Sequence, residues 1–371
     1  MTVVGVVGGG QLARMMIPAA INLGLEIRVF AEAEGSPAAL ATTQVGDYRN
    51  LDELEKFARG VDVLTFDHEH VPTPVLIALR DAGVTVAPSP EALALTHDKI
   101  VMRKALSTMG APQPLWAVAE GVDGLVDADA VGQVGGFPCI AKKPVGGYDG
   151  KGVRVIHSLP EIEDWLGVGP VLLEEKVRFV RELALLSARR VGGQWQSWAP
   201  VETRQHNGVC SEVIAPASGM DDAQINHARA LSASLAEKIG VVGVLAVEVF
   251  ELADGSLLVN ELAMRPHNSG HVLTELSRTS QFEQHLRAVA DMPLGSSDLL
   301  APSGVMVNIL GSLDDESVVS ALGAEPEAKV HNYCKTPRAG RKVGHVVLLG
   351  DNSDDTLAKA QRVRDAIHEP R

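Results

Sequence analysis

Val3 to Val7 is an unbroken apolar run that reads as a buried strand, and an apolar helix follows it to about Leu23. Ile27 to Phe30, Val61 to Phe66 and Val84 to Ala87 read as further strands. Mixed stretches between them, about Leu51 to Arg59 and Pro74 to Ala82, carry helical periodicity. This alternation predicts a parallel α/β sheet with its functional loops at the C-terminal strand ends. Pro18 predicts a kink or a break inside the first helix.

Pro88-Ser89-Pro90 marks a boundary, and a helix from Ala92 to Met109 is predicted after it, carrying Asp98, Lys99, Arg103 and Lys104. Beyond Pro112 and Pro114 the pattern changes. Strands over Phe137 to Ala141, Val153 to Ile156, Val171 to Glu174, Glu182 to Arg190 and Trp195 to Val201 predict a mainly antiparallel α+β domain. A helix from Ala223 to Ile239 packs on it, and a smaller region follows Pro302.

The 371 residues suffice for two or three domains, and 46% hydrophobic with 22% charged residues is ordinary for a soluble globular protein. A net charge of −14 excludes general affinity for nucleic acid or anionic membrane. Three scattered cysteines, Cys139, Cys210 and Cys334, argue against a disulfide framework or a zinc site. With no signal-peptide pattern at Met1 to Gly10 and no run of membrane-spanning length, a reducing cytoplasm is the expected compartment.

Against that acidic background, local basic and glycine-rich clusters carry chemistry. Between the strands ending at Ala141 and starting at Val153, Gly146, Gly147, Gly150 and Gly152 interleave with Lys142, Lys143, Asp149 and Lys151. Glycines let backbone N–H groups converge on an anion and lysines add point charges, so a hairpin tip closing over phosphate is predicted. The P-loop spacing is absent. Gly8, Gly10 and Ala13 match G-x-G-x-x-G/A, and Glu32 stands where a ribose-binding acid would; a close strand–helix turn wants the same glycines. Asp67-His68-Glu69-His70, at a C-terminal strand end, reads as substrate contact or surface polarity.

Val241 to Leu252 and Ser256 to Met264 flank Asp254-Gly255, the signature of a two-residue type I′ hairpin. That register sets Glu248 opposite Glu261. Opposed like charges on apolar strands are destabilising unless a cation lies between them, and with Asn260 these oxygen donors suit Mg²⁺. Arg265-Pro266-His267-Asn268-Ser269-Gly270-His271 then reads as a substrate-binding loop, not a metal pair. The basic turn Lys335 to His345, with Arg338, Arg341 and Lys342, reads as a substrate-phosphate site.

A glycine loop over phosphate, a preceding lysine and a Glu…Asn-Glu hairpin, in that order, resemble the ATP-grasp ligases. Within them the chain resembles the bicarbonate-dependent N5-carboxyaminoimidazole ribonucleotide synthetase family of purine biosynthesis. The likeness runs over nearly the whole chain, through residues 8 to 15, 146 to 152, 260 to 271 and 340 to 345. It implies a Rossmann-like N-terminal domain over 1-95, an ATP-grasp domain over 96-300 and a small β-rich C-terminal domain over 301-371.

Residue by residue, the resemblance implies that Lys99 and Lys142 hold ATP phosphates, covered by Gly147, Tyr148, Asp149, Gly150, Lys151, Gly152 and Val153. Glu174, Glu175, Lys176 and Val177 would form the adenine-side hinge, and Glu182 would take the ribose. His206 and Asn260 would join the nucleotide site, and Glu248 and Glu261 would bind Mg²⁺. Gln11, Leu12, Tyr148, Arg265, His267, Asn268, Lys335, Arg341 and Lys342 would surround the ribonucleotide and carboxyphosphate, with Lys142, Tyr148, Arg265, His267 and Lys342 as the catalytic set. The sequence departs from the family pattern at Ala13, at Asp67 to His70, at Lys99 where arginine is frequent, and at Met264.

The implied reaction converts ATP, bicarbonate and 5-aminoimidazole ribonucleotide to N5-carboxyaminoimidazole ribonucleotide, ADP and phosphate, in a homodimer. Alternatives are a sister ligase such as formate-dependent glycinamide ribonucleotide transformylase, a nicotinamide dehydrogenase using Gly8 to Ala13 and Glu32, and a nucleotide-binding regulator without turnover.

Overall fold

The structure, a computed structural model, describes residues 1–122, 125–126, 128–147, 152–206 and 208–368. Its first sheet is parallel, in the order Thr42–Val45, Glu26–Ala31, Val3–Val7, Val63–Phe66. Val4, Val6, Val7, Phe30 and Leu64 in its central strands are buried, so their apolar runs show no alternation. The edge strand Thr42–Val45 is polar enough to escape detection by its pattern.

Two expectations are overturned or narrowed in this region. Residues 84–87 form only a bridge from Val86 to Leu64, because Pro88 has no N–H with which to extend the ladder beyond Ala87. The helix Gln11–Leu23 runs through Pro18 without a break; Pro18 is exposed, and water can satisfy the carbonyl that proline leaves without a donor.

A third correction bears on the site. The predicted helix over 92–109 is two helices, Pro90–His97 and Lys99–Met109. Asp98 between them is extended and accepts from Ile100 N–H (2.7 Å) and Val101 N–H (3.1 Å), capping the second helix. Lys99 therefore starts a helix.

A second, antiparallel sheet orders Trp116–Ala119, Val171–Glu175, Cys139–Lys142 and Val153–Ile156 over its own core, which includes Ala141, Ile156, Trp165 and Leu173. The third sheet has nine strands. Its path is Leu257–Ala263, Gly243–Glu251, Arg181–Arg189, Val201–His206, Val209–Ala215, Ser303–Gly311, Arg338–Gly350 and Lys329–Asn332, with Trp195–Ser197 on Arg181–Arg189. The predicted strand 195–201 is thus two strands, interrupted before Val201, where Pro200 cannot donate. The helix Asp222–Ile239 carries a capping box from Asp221 and Gln224 and packs on Arg181–Arg189.

Strands from beyond Pro302 thus join the sheet that carries the Glu248 hairpin. Buried His285, on the helix Gln281–Val289, ties the first sheet to the third: its Nε2 meets Thr65 Oγ1 at 2.8 Å and its Nδ1 accepts from Val244 N–H at 3.1 Å. Among the described residues no helix is long and apolar enough to cross a membrane.

Candidate active site

The hairpin does place Glu248 opposite Glu261, by a route the sequence did not indicate. Its turn has three residues, Ala253 to Gly255. Leu252 C=O accepts from Gly255 N–H and Leu252 N–H reaches Ser256 C=O, with Gly255 at φ 80°. This longer turn pairs Glu251 with Leu257 and Val249 with Val259, one residue away from the two-residue register. Asn260 then bulges, and beyond it Glu248 pairs with Glu261 and Val247 with Leu262. The bulge compensates for the turn.

Around the pair stand cations. Lys99 Nζ lies 2.5 Å from Glu261 and 3.4 Å from Gly147 C=O. Lys142 Nζ donates to Asn260 Oδ1 at 3.0 Å and lies 2.8 Å from Glu174. Burial pushes the Glu174 carboxyl up, but Lys142 and Arg103 outweigh it and hold it below the ordinary range. Among the described residues, Glu248 meets His267 Nε2 at 3.3 Å. Burial first, then Glu261 and Glu182, raise it to about 7. Burial also raises Glu182.

No group of three His, Cys, Asp or Glu side chains gathers as a metal cluster among the described residues. Two opposed carboxylates with Asn260 make a small, oxygen-only set. It suits Mg²⁺, which keeps several waters and phosphate oxygens in its shell.

On the other side, Gln281 clamps His267 at both backbone groups, accepting its N–H and donating to its C=O at 2.8 Å each, while Ser269 Oγ meets His267 Nδ1 at 2.8 Å. Burial, with Arg265 and Lys342 nearby, lowers His267 to about 3, so it is neutral. Arg265 pairs with Glu69 at 2.7 Å. Asp67 accepts from Gly10 N–H and Ala13 N–H at 2.8 Å each, and a Cβ at Gly10 would collide with that carboxylate. Glu32 accepts from Gly9 N–H at 3.0 Å and pairs with His68 at 2.9 Å. Burial raises Glu32, yet these two contacts win and hold it at about 2. Asp67 to Glu69 thus brace the glycine turn and Arg265, and Glu32 is engaged within the protein.

One cavity of about 990 Å³ gathers nearly all of the predicted residues. Lys99, Lys142, Gly147, Val153, Glu174 to Val177, Glu182, Glu248, Asn260 and Glu261 line one part; Gln11, Leu12, Arg265, His267, Asn268, Lys335, Arg341 and Lys342 line the other. Lys335 Nζ donates to Gln11 Oε1, joining the two ends of the chain across it. His206 is exposed and outside the lining, to which its strand contributes Thr203 and Gln205. Gly152 also lies outside it, its C=O accepting from Lys143 N–H at 2.9 Å. Tyr148, Asp149, Gly150 and Lys151 lie outside the described residues.

The sequence reading missed the apolar end of the cavity. Ile140 lines it, as do Phe179 and Phe250, stacked 4.6 Å apart. A signal existed, because Ile140 and Phe250 lie two residues along a strand from Lys142 and Glu248 and so share their faces. Arg103 and Gln281 were missed too, and nothing local marks a buried side chain that braces another element.

Antiparallel sheets beside a cavity lined by Lys99, Lys142 and a paired-carboxylate hairpin are the arrangement of an ATP-grasp ligase. Residues 104–282 match the ATP-grasp domain family, 1–97 the ribonucleotide synthetase preATP-grasp domain and 304–359 the phosphoribosylaminoimidazole carboxylase C-terminal domain. The chain is 48% identical to N5-carboxyaminoimidazole ribonucleotide synthase of Mycobacterium leprae, over 95% of this chain and 84% of that protein. Among solved structures, the Thermus thermophilus synthetase superposes with a TM-score of 0.89 at 32% identity, covering 99% of both chains. The Aspergillus clavatus enzyme, in complex with ADP and 5-aminoimidazole ribonucleotide, gives 0.86 at 28% identity over 99% of this chain and 98% of that one. The chain belongs to the N5-carboxyaminoimidazole ribonucleotide synthase family, ATP-dependent ligases of purine biosynthesis that carboxylate 5-aminoimidazole ribonucleotide.

Proposed function

We propose that this chain activates bicarbonate with ATP and transfers the carboxyl group to the amine of 5-aminoimidazole ribonucleotide, within the cavity described above. The observation that carries this reading is the joining of two sets of groups in one space: the lysine and carboxylate set around Glu261, and the basic set of Arg265, Lys335, Arg341 and Lys342.

Adenine is assigned to the apolar end by Ile140, Phe179 and Phe250, with Glu174 to Val177 alongside and Glu182 toward the ribose. Lys99 and Lys142 neutralise phosphate oxygens. Glu248 and Glu261 would hold Mg²⁺, which supplies charge neutralisation at the transferring phosphoryl group. A bicarbonate oxygen attacks the γ-phosphorus, the bond to ADP breaks, and carboxyphosphate results. The amine then takes the carboxyl carbon, directly or as CO₂, the bond from that carbon to the phosphate oxygen breaks, and the departing phosphate takes the amine's proton. Arg265 and Lys342 stabilise the anionic intermediate, and Gln11, Asn268, Lys335 and Arg341 hold the ribonucleotide. Neutral His267, locked by Gln281 and Ser269, shapes the wall between the two halves.

Coupled ADP release in carbonate-depleted buffer tests the reading. Full turnover is expected only with bicarbonate and aminoimidazole ribonucleotide together. Turnover with formate and glycinamide ribonucleotide would move the chain to the transformylase reading. The nicotinamide reading loses its support because the Glu32 carboxylate is engaged by Gly9 N–H and His68.

A further inference from the structure

Arg103 sits one turn along the helix Lys99–Met109 from Lys99, fully buried and outside the cavity lining. Its guanidinium joins two elements. Nη1 donates to Val259 C=O at 2.7 Å and Nη2 to Asn260 C=O at 2.8 Å, while Nε donates to Glu174 Oε1 at 2.7 Å. The first two acceptors are the successive carbonyls of the bulge, where the hairpin changes register and the ladder cannot satisfy every group. The third acceptor holds Lys142 through its other oxygen.

The planar fork therefore fixes the backbone that presents Asn260 and Glu261, and the carboxylate that presents Lys142. A lysine has the charge but lacks the geometry to meet three acceptors in one plane. Without these bonds, the bulge could relax toward the register set by the three-residue turn, and Glu261 would no longer face Glu248.

We infer that Arg103 is a positioning residue that sets the separation between the Mg²⁺-directed carboxylate Glu261 and the phosphate-directed Lys142. The inference rests on the roles proposed above for those two residues. It predicts that loss of the fork weakens metal–nucleotide binding selectively, whereas a purely structural ion pair would alter stability alone.

The test is calorimetric binding of ADP with Mg²⁺ and with EDTA, and of aminoimidazole ribonucleotide alone, to wild type and to Arg103→Lys. An effect of about tenfold, the lower end for groups that orient metal ligands, is expected on Mg²⁺-dependent ADP affinity. A smaller loss is expected in EDTA, where only the placement of Lys142 acts, and little change for the ribonucleotide. Equal losses for all three ligands, or none, would overturn the inference. Should Arg103→Lys fail to fold, Arg103→Gln, which leaves Glu174 paired with Lys142 and keeps an N–H donor on that side chain, takes the same measurements with the same two readings. Glu261→Gln separates the layers of argument: if it leaves Mg²⁺-dependent ADP binding unchanged, the site assignment fails; if it weakens binding and the Arg103 variants do not, only the Arg103 inference fails.

Discussion

Among the described residues, Glu261 pairs directly with Lys99 while Glu248 meets a neutral histidine, so the two opposed carboxylates share one direct cation and gain from added positive charge. Replacing either by glutamine removes half of a like-charge pair. The expected outcome is a Mg²⁺ requirement for ADP release raised about tenfold or more, at an unchanged or higher melting temperature. Titrating Mg²⁺ against ADP release checks it, and wild-type requirements in both single variants would refute it. At the far end of the cavity, Arg341→Ala is expected to raise KM for the ribonucleotide on the order of tenfold while leaving KM for ATP near normal, since one charge-assisted phosphate contact is lost. A loss confined to ATP would remove Arg341 from the ribonucleotide site. His285 sets a pH dependence. Burial lowers it from 6.5 to about 3. Between those values the unfolded chain binds a proton that the folded chain refuses, so this residue makes stability fall as pH drops below about 6.5. From pH 6.5 to 5 the contribution is on the order of 1.5 kcal/mol. Urea midpoints at the two pH values should show at least this loss, since burial lowers His267, His271 and His345 as well, and His285→Gln should reduce it by the share of His285.

Asp98 breaks a run that reads as one helix, and the break puts Lys99 beside Glu261. Asp98→Ala, which removes two cap hydrogen bonds, is expected to cost about 1 kcal/mol and to raise KM for ATP. Differential scanning calorimetry and initial rates check the two effects. At this scale the sequence was legible where periodicity alone decides the element. Val3–Val7 and Val153–Ile156 match their apolar runs at both ends. It was illegible where one element's backbone depends on a distant side chain. The carboxylate pair emerged from a turn read one residue too short, and agreement was restored by a bulge braced by Arg103, 157 positions away from Asn260. Asp67 and Glu69 read as substrate contact or surface polarity; they line the cavity, and their bracing contacts were hidden because the partners, Gly10, Ala13 and Arg265, are remote in the chain. The polar edge strand Thr42–Val45 has neither the apolar run nor the alternation by which strands announce themselves.

Taken whole, the molecule closes its cavity with both ends of the chain. Gln11 meets Lys335, and Arg14 donates to Asn332 C=O at 3.1 Å. The nine-stranded sheet passes without interruption from the Glu261 strand to Lys329–Asn332, and Ser303–Gly311 covers the edge of Val209–Ala215, where Val213 and Ile214 are buried. A chain ending at residue 302 would expose that edge and its apolar side chains, the conditions for edge-to-edge association. It is expected to elute as aggregate in size-exclusion chromatography, whereas a well-behaved monomer would refute this. For anyone recombining relatives of this protein, the natural seam is therefore not the irregular stretch before Pro302. A donor's last seventy residues would arrive shaped to another parent's neighbouring strand, so crossovers that keep 209–215 and 303–311 from one parent should yield working chimeras more often than crossovers that part them.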